Sequence, residues 1–314
     1  MQTICITGGT GFLGKHLVSK LSKQEHVTLR ILTRDHTLES KDNIEYIYGD
    51  LLNKKTLSQF IVKNAIVINL VYLDEPLFVH NKLALTYLTD ICKAQDVKHF
   101  IHISTAMVAG RVNAPEITES TTCHPITAYE LNKYNCELLL KKVLYNNIPL
   151  TILRPTAIFG SDGKNINKLI NDFLTDTPTM RAIKLSLYHK RVLHLVPVSY
   201  VVSAIEFILT HIPDKANSQC FIVSNDKHPR NTYFDLIQII SKYSEVKIHP
   251  FFFIPFPFCI LSLLLRLKGV SQIDPTQVYI DNKLQHLGFP KNNDFEDHLL
   301  KKITHYLQIR ELAL

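Results

Sequence analysis

The residues with the clearest chemical potential are a tyrosine and a lysine, Tyr129 and Lys133, four positions apart. On a helix this spacing places both side chains on one face, one turn from each other. An ammonium group beside a phenol favours the phenolate and lowers the pKa of the tyrosine, so that the tyrosine can exchange protons at neutral pH. Such pairs are common on solvated helices, and this one predicts chemistry only where other elements bring a ligand to it.

Two hydroxyl side chains, Ser104 and Thr105, directly follow a short apolar run at residues 100–103. The run predicts a strand, and the carboxyl ends of strands are where open α/β sheets bind ligands. A hydroxyl at this edge can hydrogen-bond the substrate oxygen whose proton Tyr129 exchanges. The residues alone leave the choice between Ser104 and Thr105 open.

A glycine-rich turn near the beginning of the sequence, Gly8 to Gly14, predicts a site for a dinucleotide. It follows the apolar run Ile4–Ile6 and precedes an amphipathic pattern, so the order is strand, tight turn and helix. Four of the ten glycines of the chain lie in these seven residues. Glycines at 8, 11 and 14 allow a sharp turn and a close approach to a ligand. The helix that follows offers unpaired N–H groups to a pyrophosphate.

The strand predicted at residues 27–33 ends at Arg34, where a dinucleotide fold meets the adenosine ribose. An acidic side chain there hydrogen-bonds the ribose 2′-hydroxyl of NAD, whereas an arginine accommodates the 2′-phosphate of NADP. Arg34 therefore favours NADP(H), and the neighbouring Asp35 keeps NAD(H) open.

Two further strands are predicted at residues 44–48 and 65–71. The second is a near-continuous apolar run, as expected for a strand buried on both faces of a parallel sheet. Asp50 follows the first of them. It either caps the next helix or accepts hydrogen bonds from the adenine amino group, and the sequence does not separate these roles.

Composition and element order predict an α/β protein with a Rossmann-type doubly wound parallel sheet and a smaller C-terminal substrate-binding lobe. The chain has 314 residues, of which 46% are hydrophobic and 20% charged. We expect a nucleotide-binding domain over residues 1–164, to which a strand near 192–198 returns, and the lobe over 165–314. The net charge of +7 is spread along the chain and does not indicate nucleic acid. Six cysteines without C-x-x-C pairing predict reduced thiols and a cytoplasmic location.

The apolar segment at residues 251–265 raises the question of a membrane. It is shorter than the roughly 20 residues that a spanning helix needs, and Pro255 and Pro257 interrupt its first half. We expect it to pack in the core or the substrate pocket of the lobe rather than to contact lipid.

Histidines and basic residues offer weaker signals. Although the chain has fifteen histidines, and His99 and His102 flank the fifth predicted strand, no motif for metal ligands is present, and we expect no metal site. Lys184, Lys190 and Arg191 precede the strand near 192–198. They are compatible both with binding of a diphosphate and with a solvated basic loop.

Taken in order, several motifs resemble those of the short-chain dehydrogenases/reductases, in the extended branch that holds sugar-nucleotide epimerases, dehydratases and reductases and the dihydroflavonol reductases. The matching stretches are TGGTGFLG at 7–14, VTLRILTRD at 27–35, GDL at 49–51, HISTAMVAG at 102–110, ITESTTCHPITAYELNKYNCE at 117–137 and LRPTAIFG at 153–160. They cover about the first half of the chain. One departure is Val71-Tyr72, where relatives often carry two alanines.

The resemblance implies a role for each matching residue. Thr105 would polarise the substrate oxygen, Tyr129 would be the acid/base, and Lys133 would bind the nicotinamide ribose and tune Tyr129. Besides Tyr129 and Lys133, the residues implied to bind the cofactor are Gly8, Thr10, Gly11, Phe12, Leu13, Gly14, Arg34, Asp50, Leu51, Leu70, Pro155 and Thr156.

The function that follows is an NAD(P)-dependent transfer of hydride to or from a secondary alcohol carbon, with a tyrosine handling the proton. A nucleotide-diphosphate sugar is the leading substrate, in an epimerase or ketoreductase reaction. Two alternatives stay open. One is a reductase of a hydrophobic ketone of dihydroflavonol or sterol type, and the other is a cofactor-sensing or structural protein without turnover. We expect a small-molecule partner and leave a homodimer open.

Overall fold

The structure is a computed structural model that describes residues 2–73, 78–213, 218–248, 254–291 and 294–312. Its strands are β1 (Gln2–Thr7), β2 (Val27–Thr33), β3 (Ile44–Tyr48), β4 (Ile66–Asn69), β5 (His99–Ile103), β6 (Glu116–Ile117), β7 (Leu150–Pro155), β8 (Ala157–Phe159), β9 (Leu195–Pro197), β10 (Gln219–Val223) and β11 (Val278–Tyr279). Its helices are α1 (Phe12–Leu21), α2 (Lys54–Phe60), α3 (Val79–Ala94), α4 (Ala128–Leu144), α5 (Asn167–Thr175), α6 (Pro178–Tyr188), α7 (Val198–Leu209), α8 (Tyr233–Tyr243), α9 (Phe258–Leu267), α10 (Asn282–His286) and α11 (Phe295–Leu312).

The main sheet has seven strands in the order β10-β7-β5-β4-β1-β2-β3. The pairs β1–β2, β2–β3, β1–β4, β4–β5 and β5–β7 are parallel. After β3 at one edge, the chain returns to place β4 on the other side of β1, so the strand order reverses between β1 and β4. The predicted α/β, doubly wound parallel sheet is confirmed, and ligands bind such sheets at this reversal.

Burial explains why the first strands could be recognised from the sequence. Every residue of β4 and β5 is buried, as are the last four residues of β1. A strand covered by helices on both faces has no polar side to alternate with, and its sequence is a continuous apolar run. The register aligns Thr7 with Asn69 and Asn69 with His102, so β1, β4 and β5 present their carboxyl ends together.

By its contacts the chain divides into two compact units, each made of several segments. The first contains residues 1–108, 128–154 and 202–221, and the second contains 109–127, 155–201 and 222–314. This division differs from the single boundary expected at residue 164. The strand expected near 192–198 is β9, but it pairs with β8 in a separate two-stranded sheet of the second unit and does not return to the main sheet. The reason is that β8, which begins one residue after β7 ends, has a free edge with which β9 pairs instead of joining the main sheet.

In the second half of the chain, the sequence patterns at 165–174, 200–209, 233–243, 281–287 and 295–307 predict helices, and the structure has them as α5, α7, α8, α10 and α11. The apolar run at 220–223 predicts a short strand, which is β10 at the edge of the main sheet. Helix α6 was not predicted. Its start is well defined, because Thr177 caps it by accepting a hydrogen bond from the Met180 N–H and Pro178 occupies the first turn.

The apolar segment 251–265 is described only from residue 254 onward. Leu261 and Leu265 of α9 are buried, whereas Ile260, Leu263 and Leu264 are exposed. Packing in the lobe, the role expected from the sequence, therefore holds for one face of the helix only. Within the described ranges, no helix is both long enough and apolar enough to cross a membrane.

Candidate active site

The glycine turn links β1 to α1 at the reversal of the sheet. Gly8 has a φ of +75°, a left-handed conformation that favours glycine, and a Cβ on Gly14 would lie 2.1 Å from the Gly8 carbonyl oxygen. Gly11 is the N-cap of α1 and caps it with no side-chain hydrogen bond. A Cβ there would meet only the Gly8 oxygen, at 3.3 Å. The N-terminus of α1 thus keeps backbone N–H donors and open space beside Gly11, and the binding of a pyrophosphate there stays a prediction.

The other residues implied to bind the cofactor here are Thr10, Phe12 and Leu13, at the turn between β1 and α1, and Leu70, after β4. Thr10 is exposed, and Phe12 and Leu13 are half-buried. Leu70 follows β4, and its Cβ would lie 3.3 Å from a Cβ on Gly8. The structure brings these residues together at the carboxyl ends of β1 and β4.

At the end of β2, Arg34 and Asp35 are both exposed. The Asp35 carboxylate accepts hydrogen bonds from the Thr37 hydroxyl at 2.7 Å and the Thr37 N–H at 2.9 Å. These bonds lower the pKa of Asp35. The carboxylate is thus engaged in a local turn, and Arg34 is the more available side chain for a ligand.

Asp50 does not cap the following helix. The cap of α2 is Asn53, whose side chain accepts from the Lys55 and Thr56 N–H groups. Asp50 instead accepts from the Leu52 N–H at 2.8 Å, and Leu51 is buried. The capping alternative is therefore wrong, and contact of Asp50 and Leu51 with the adenine stays a prediction.

The predicted acid/base pair lies in the first two turns of α4. Tyr129 is 39% exposed, whereas Lys133 is only 5% exposed. The Lys133 Nζ donates to the Ile103 carbonyl oxygen of β5 at 3.2 Å. Burial lowers the pKa of Lys133 to about 8. With a pKa this near neutrality, the charge of Lys133 depends on its neighbours, and a phenolate beside it would favour the ammonium form.

Tyr72 connects the two members of the pair. Its ring makes an edge contact with the Tyr129 ring, with centroids 5.4 Å apart, and the Lys133 Nζ lies 4.7 Å from its centroid. The sequence showed Tyr72 only as a departure from the alanine of relatives. No local pattern signals this contact, because residues 72 and 129 are distant along the chain.

Ser104 and Thr105 have different partners. The Ser104 hydroxyl donates to the Glu137 carboxylate at 2.6 Å, and Arg154 binds the same carboxylate with two hydrogen bonds of 2.9 and 2.6 Å. The Ser104 proton is therefore engaged. The Thr105 Oγ1 accepts from the Met107 N–H at 3.3 Å, and donation of the Thr105 proton to a substrate stays a prediction.

A buried polar row crosses the strand ends behind this site. The Thr7 hydroxyl donates to the Asn69 side-chain oxygen at 2.6 Å, and the Asn69 amide lies 3.1 Å from the His102 Nδ1. Burial, with a smaller contribution from Lys133, lowers the pKa of His102 to about 3, so the imidazole is neutral. Sequence reasoning treated His102 only as a possible metal ligand and missed this row.

The histidines of β5 do not form a metal site. His99 and His102 are an odd number of positions apart on one strand and so face opposite sides of the sheet. The His99 Nε2 lies 2.8 Å from the Thr151 hydroxyl. Among the residues that the structure describes, no three potential ligands lie together.

Pro155 and Thr156 belong to the second unit and are both buried. The Thr156 N–H donates to the Val223 carbonyl oxygen at 3.1 Å, and the buried Thr156 Oγ1 has no hydrogen-bond partner among the described residues. Within the first unit, the uncapped N-terminus of α1 fits the binding of a dinucleotide pyrophosphate. Of the basic residues for which a diphosphate contact and a solvated loop were both left open, Lys184 is paired with Asp176 at 2.7 Å and Arg191 lies over the Tyr188 ring.

Comparison with known proteins agrees with this geometry. The chain is 25% identical to the UDP-glucose 4-epimerase of Vibrio cholerae over 329 aligned residues, which cover 98% of this chain and 96% of that protein. It is 26% identical to the low-salt glycan biosynthesis protein Agl12 of Haloferax volcanii, over 54% of this chain and 61% of that protein, which is less than two thirds of its length.

Solved structures share the fold. The UDP-glucuronic acid 4-epimerase of Bacillus cereus, determined in complex with NAD, superposes with a TM-score of 0.72 at 19% identity, covering 98% of this chain and 99% of that one. The family model described as NAD dependent epimerase/dehydratase family matches residues 4–223. The match spans the glycine turn, Thr105, Tyr129, Lys133 and Thr156, and the chain therefore belongs to the NAD-dependent epimerase/dehydratase family.

Proposed function

We propose that the protein is an epimerase of a nucleotide-diphosphate sugar that acts at a secondary alcohol carbon, with Tyr129 as the acid/base. The observation that carries this proposal is the buried Lys133, held between the Ile103 carbonyl and the Tyr72 ring one helical turn from Tyr129. The near full-length similarity to a UDP-glucose 4-epimerase supports a UDP-hexose as substrate and C4 as the reacting carbon.

Thr105, Tyr129 and Lys133 divide the tasks of this reaction between them. Thr105 donates a hydrogen bond to the C4 oxygen, and the Tyr129 phenolate accepts the proton of the C4 hydroxyl. The Lys133 ammonium stabilises the phenolate and binds the nicotinamide ribose. A nicotinamide, when bound, would supply the hydride chemistry at C4. Tyr129 would return the proton to the C4 oxygen at the end of the cycle, so the tyrosine regains its starting state.

We infer that the protein favours NADP(H) over NAD(H), although its family is described as NAD dependent. Arg34 is exposed at the end of β2, and Asp35 is engaged by Thr37. A guanidinium at this position suits a 2′-phosphate. The proposal concerns the preference between the two dinucleotides and leaves the use of a nicotinamide unchanged.

The proposed function is tested with a panel of nucleotide sugars deuterated at C4. The purified protein is incubated with each sugar and with NAD⁺ or NADP⁺, and the products are separated and examined by mass spectrometry. We expect the C4 epimer, with deuterium retained and no net change in nicotinamide absorbance. A steady change in absorbance would instead indicate a reductase or dehydrogenase, and the absence of any converted sugar would contradict the proposal.

A further inference from the structure

Helix α6, helix α9 and the segment just before α9 expose large apolar side chains in the second unit. The two helices pack against each other, and the Phe256 N–H donates to the Ser186 carbonyl oxygen at 2.9 Å. Leu267 is 76% exposed, Ile254 72% and Leu263 58%. We name this surface the α6–α9 face, and its exposed apolar members are Met180, Ile183, Ile254, Phe256, Ile260, Leu263, Leu264 and Leu267. Scattered apolar residues are normal at a surface, but a contiguous group marks an interaction site.

Helix α9 has more apolar surface than its packing uses. Leu261 and Leu265, four residues apart, form the stripe that is buried. A second stripe at positions 260, 263, 264 and 267 follows the same helical spacing and is exposed. A helix with one partner needs only one such stripe. The second stripe therefore indicates another apolar partner.

The charges around the face have one dominant sign. From residue 246 to residue 273 the sequence contains no aspartate or glutamate, while Lys247, Arg266 and Lys268 are exposed. Helix α6 adds Arg181 and has no acidic residue. Its Lys184 pairs with Asp172 and Asp176 and therefore adds no free positive charge. The partner must therefore be apolar where it meets the leucines and anionic around them.

A cavity of about 410 Å³ adjoins the same side chains. Ile183, Ile254 and Phe256 contribute to its lining, and Arg181 and Lys247 are its charged residues. A volume of this size lies within the range of small-molecule pockets, which is about 300–1,000 Å³. The cavity has room for an apolar chain, and Arg181 and Lys247 could bind an anionic group attached to that chain.

We propose that the α6–α9 face docks on the surface of an anionic lipid bilayer. Amphipathic helices that lie in a bilayer interface combine leucine and phenylalanine on one side with lysine and arginine beside them, and they bury their apolar face below the headgroups. The helix is too short to span the bilayer, so it lies along the surface. In the sequence, the short length of the segment and its two prolines argued against a spanning helix, and we expected packing in the lobe rather than lipid contact. Both prolines precede α9 and leave its exposed stripe uninterrupted.

The test is flotation of the full chain with vesicles of phosphatidylcholine, with and without phosphatidylglycerol. The wild type should float with the anionic vesicles, less so at high salt, and weakly with neutral ones. The double variant Leu263→Ser/Leu267→Ser should bind the anionic vesicles roughly ten-fold more weakly, since each exposed leucine loses its burial in lipid. Arg266→Glu/Lys268→Glu should abolish the preference for the anionic vesicles.

The matched control is Ile309→Ser/Leu312→Ser, which removes two exposed apolar side chains from α11 and should leave flotation unchanged. Circular dichroism and turnover of a soluble nucleotide sugar should be the same in all variants, because none of these residues lies in the proposed active site. The proposal is overturned if the wild type does not float, or if flotation survives the α9 substitutions. Concentration-dependent dimers that only the Leu263/Leu267 variant loses, without flotation of the wild type, would assign the face to a second copy.

Discussion

The surroundings of Lys133 and the α6–α9 face depart from ordinary protein architecture in opposite directions. At the first, a lysine, a glutamate and an arginine are almost fully buried, with Glu137 at 0% and Arg154 at 5% exposure. At the second, leucines and isoleucines face water. Both arrangements oppose the usual partition of side chains, and both cost stability unless another interaction offsets them. The buried charges have partners within the same unit, whereas the exposed leucines have none among the described residues.

The two regions therefore differ in where their stabilising interactions come from: those around Lys133 lie within the protein, and those of the α6–α9 face require a partner. The charges around Lys133 are held by hydrogen bonds that already exist in the free protein, so the site is preorganised for chemistry. The stripe of α9 gains its stabilisation only when something covers it. Substitutions should therefore affect folding at the first region and binding at the second.

The largest effect on stability is expected from Glu137→Gln, which leaves Arg154 buried without a charged partner. Removing one member of a buried pair costs about 3–5 kcal/mol. Chemical denaturation should show this loss in the free energy of unfolding. Lys141→Gln is the control, because Lys141 lies 4.0 Å from the same carboxylate but is 36% exposed, and its loss should change stability little. Equal effects of the two variants would contradict the buried-pair interpretation.

The next largest expected effect is a difference in stability between substitutions on the buried and the exposed stripe of α9. Leu261→Ala removes a buried side chain and should destabilise the protein by about 2–5 kcal/mol. Leu263→Ala, on the exposed stripe, should stay within about 0.5 kcal/mol of the wild type. Thermal or chemical denaturation measures both. A large loss for Leu263→Ala would mean that the stripe is covered by the protein itself.

Arg34→Ala should weaken NADP(H) binding by about ten-fold or more, because a charge-assisted hydrogen bond contributes about 1.5–3 kcal/mol. Affinity for NAD(H) should stay nearly the same. Titration of protein fluorescence or calorimetry with each dinucleotide gives the two constants. A wild type that prefers NAD(H), with no change in Arg34→Ala, would reject the assignment of Arg34.

The pH dependence of kcat/KM should report Lys133. Its pKa of about 8 means that the free protein loses the ammonium as the pH rises through that value, and kcat/KM should then fall. Lys133→Arg keeps a cation over the whole range, and its residual activity should lack this alkaline decline. The unfolded chain holds the lysine proton up to a pKa of 10.5, so the unfolding free energy of the wild type, relative to that of Lys133→Arg, should rise with pH between about 8 and 10.5. An unchanged alkaline limb in Lys133→Arg would assign it to another group.

The sequence predicts local elements of both regions, but it does not predict the contacts between distant segments. The glycine turn, the strand ends and the Tyr129–Lys133 spacing are local patterns, and the structure has the turn, the strands and the helix that they predict. The functional roles of these residues stay predictions. The contact of Tyr72 with Tyr129 and the Glu137–Arg154 pair join residues on separate segments of the chain. No local sequence pattern contains both partners, so the sequence could not predict these contacts. The apolar pattern of α9 was visible, but the pattern does not tell which stripe is covered. Only the three-dimensional arrangement separated Leu261 from Leu263.

The most direct test of the central claim compares Tyr129→Phe with the wild type in turnover and in cofactor affinity. The variant removes one hydroxyl and keeps the ring against Tyr72, so dinucleotide binding and stability should be retained. Turnover of the nucleotide sugar should fall by about 100- to 10,000-fold, the usual contribution of general acid–base catalysis. Turnover close to that of the wild type, with cofactor still bound, would contradict the role of Tyr129 as the acid/base.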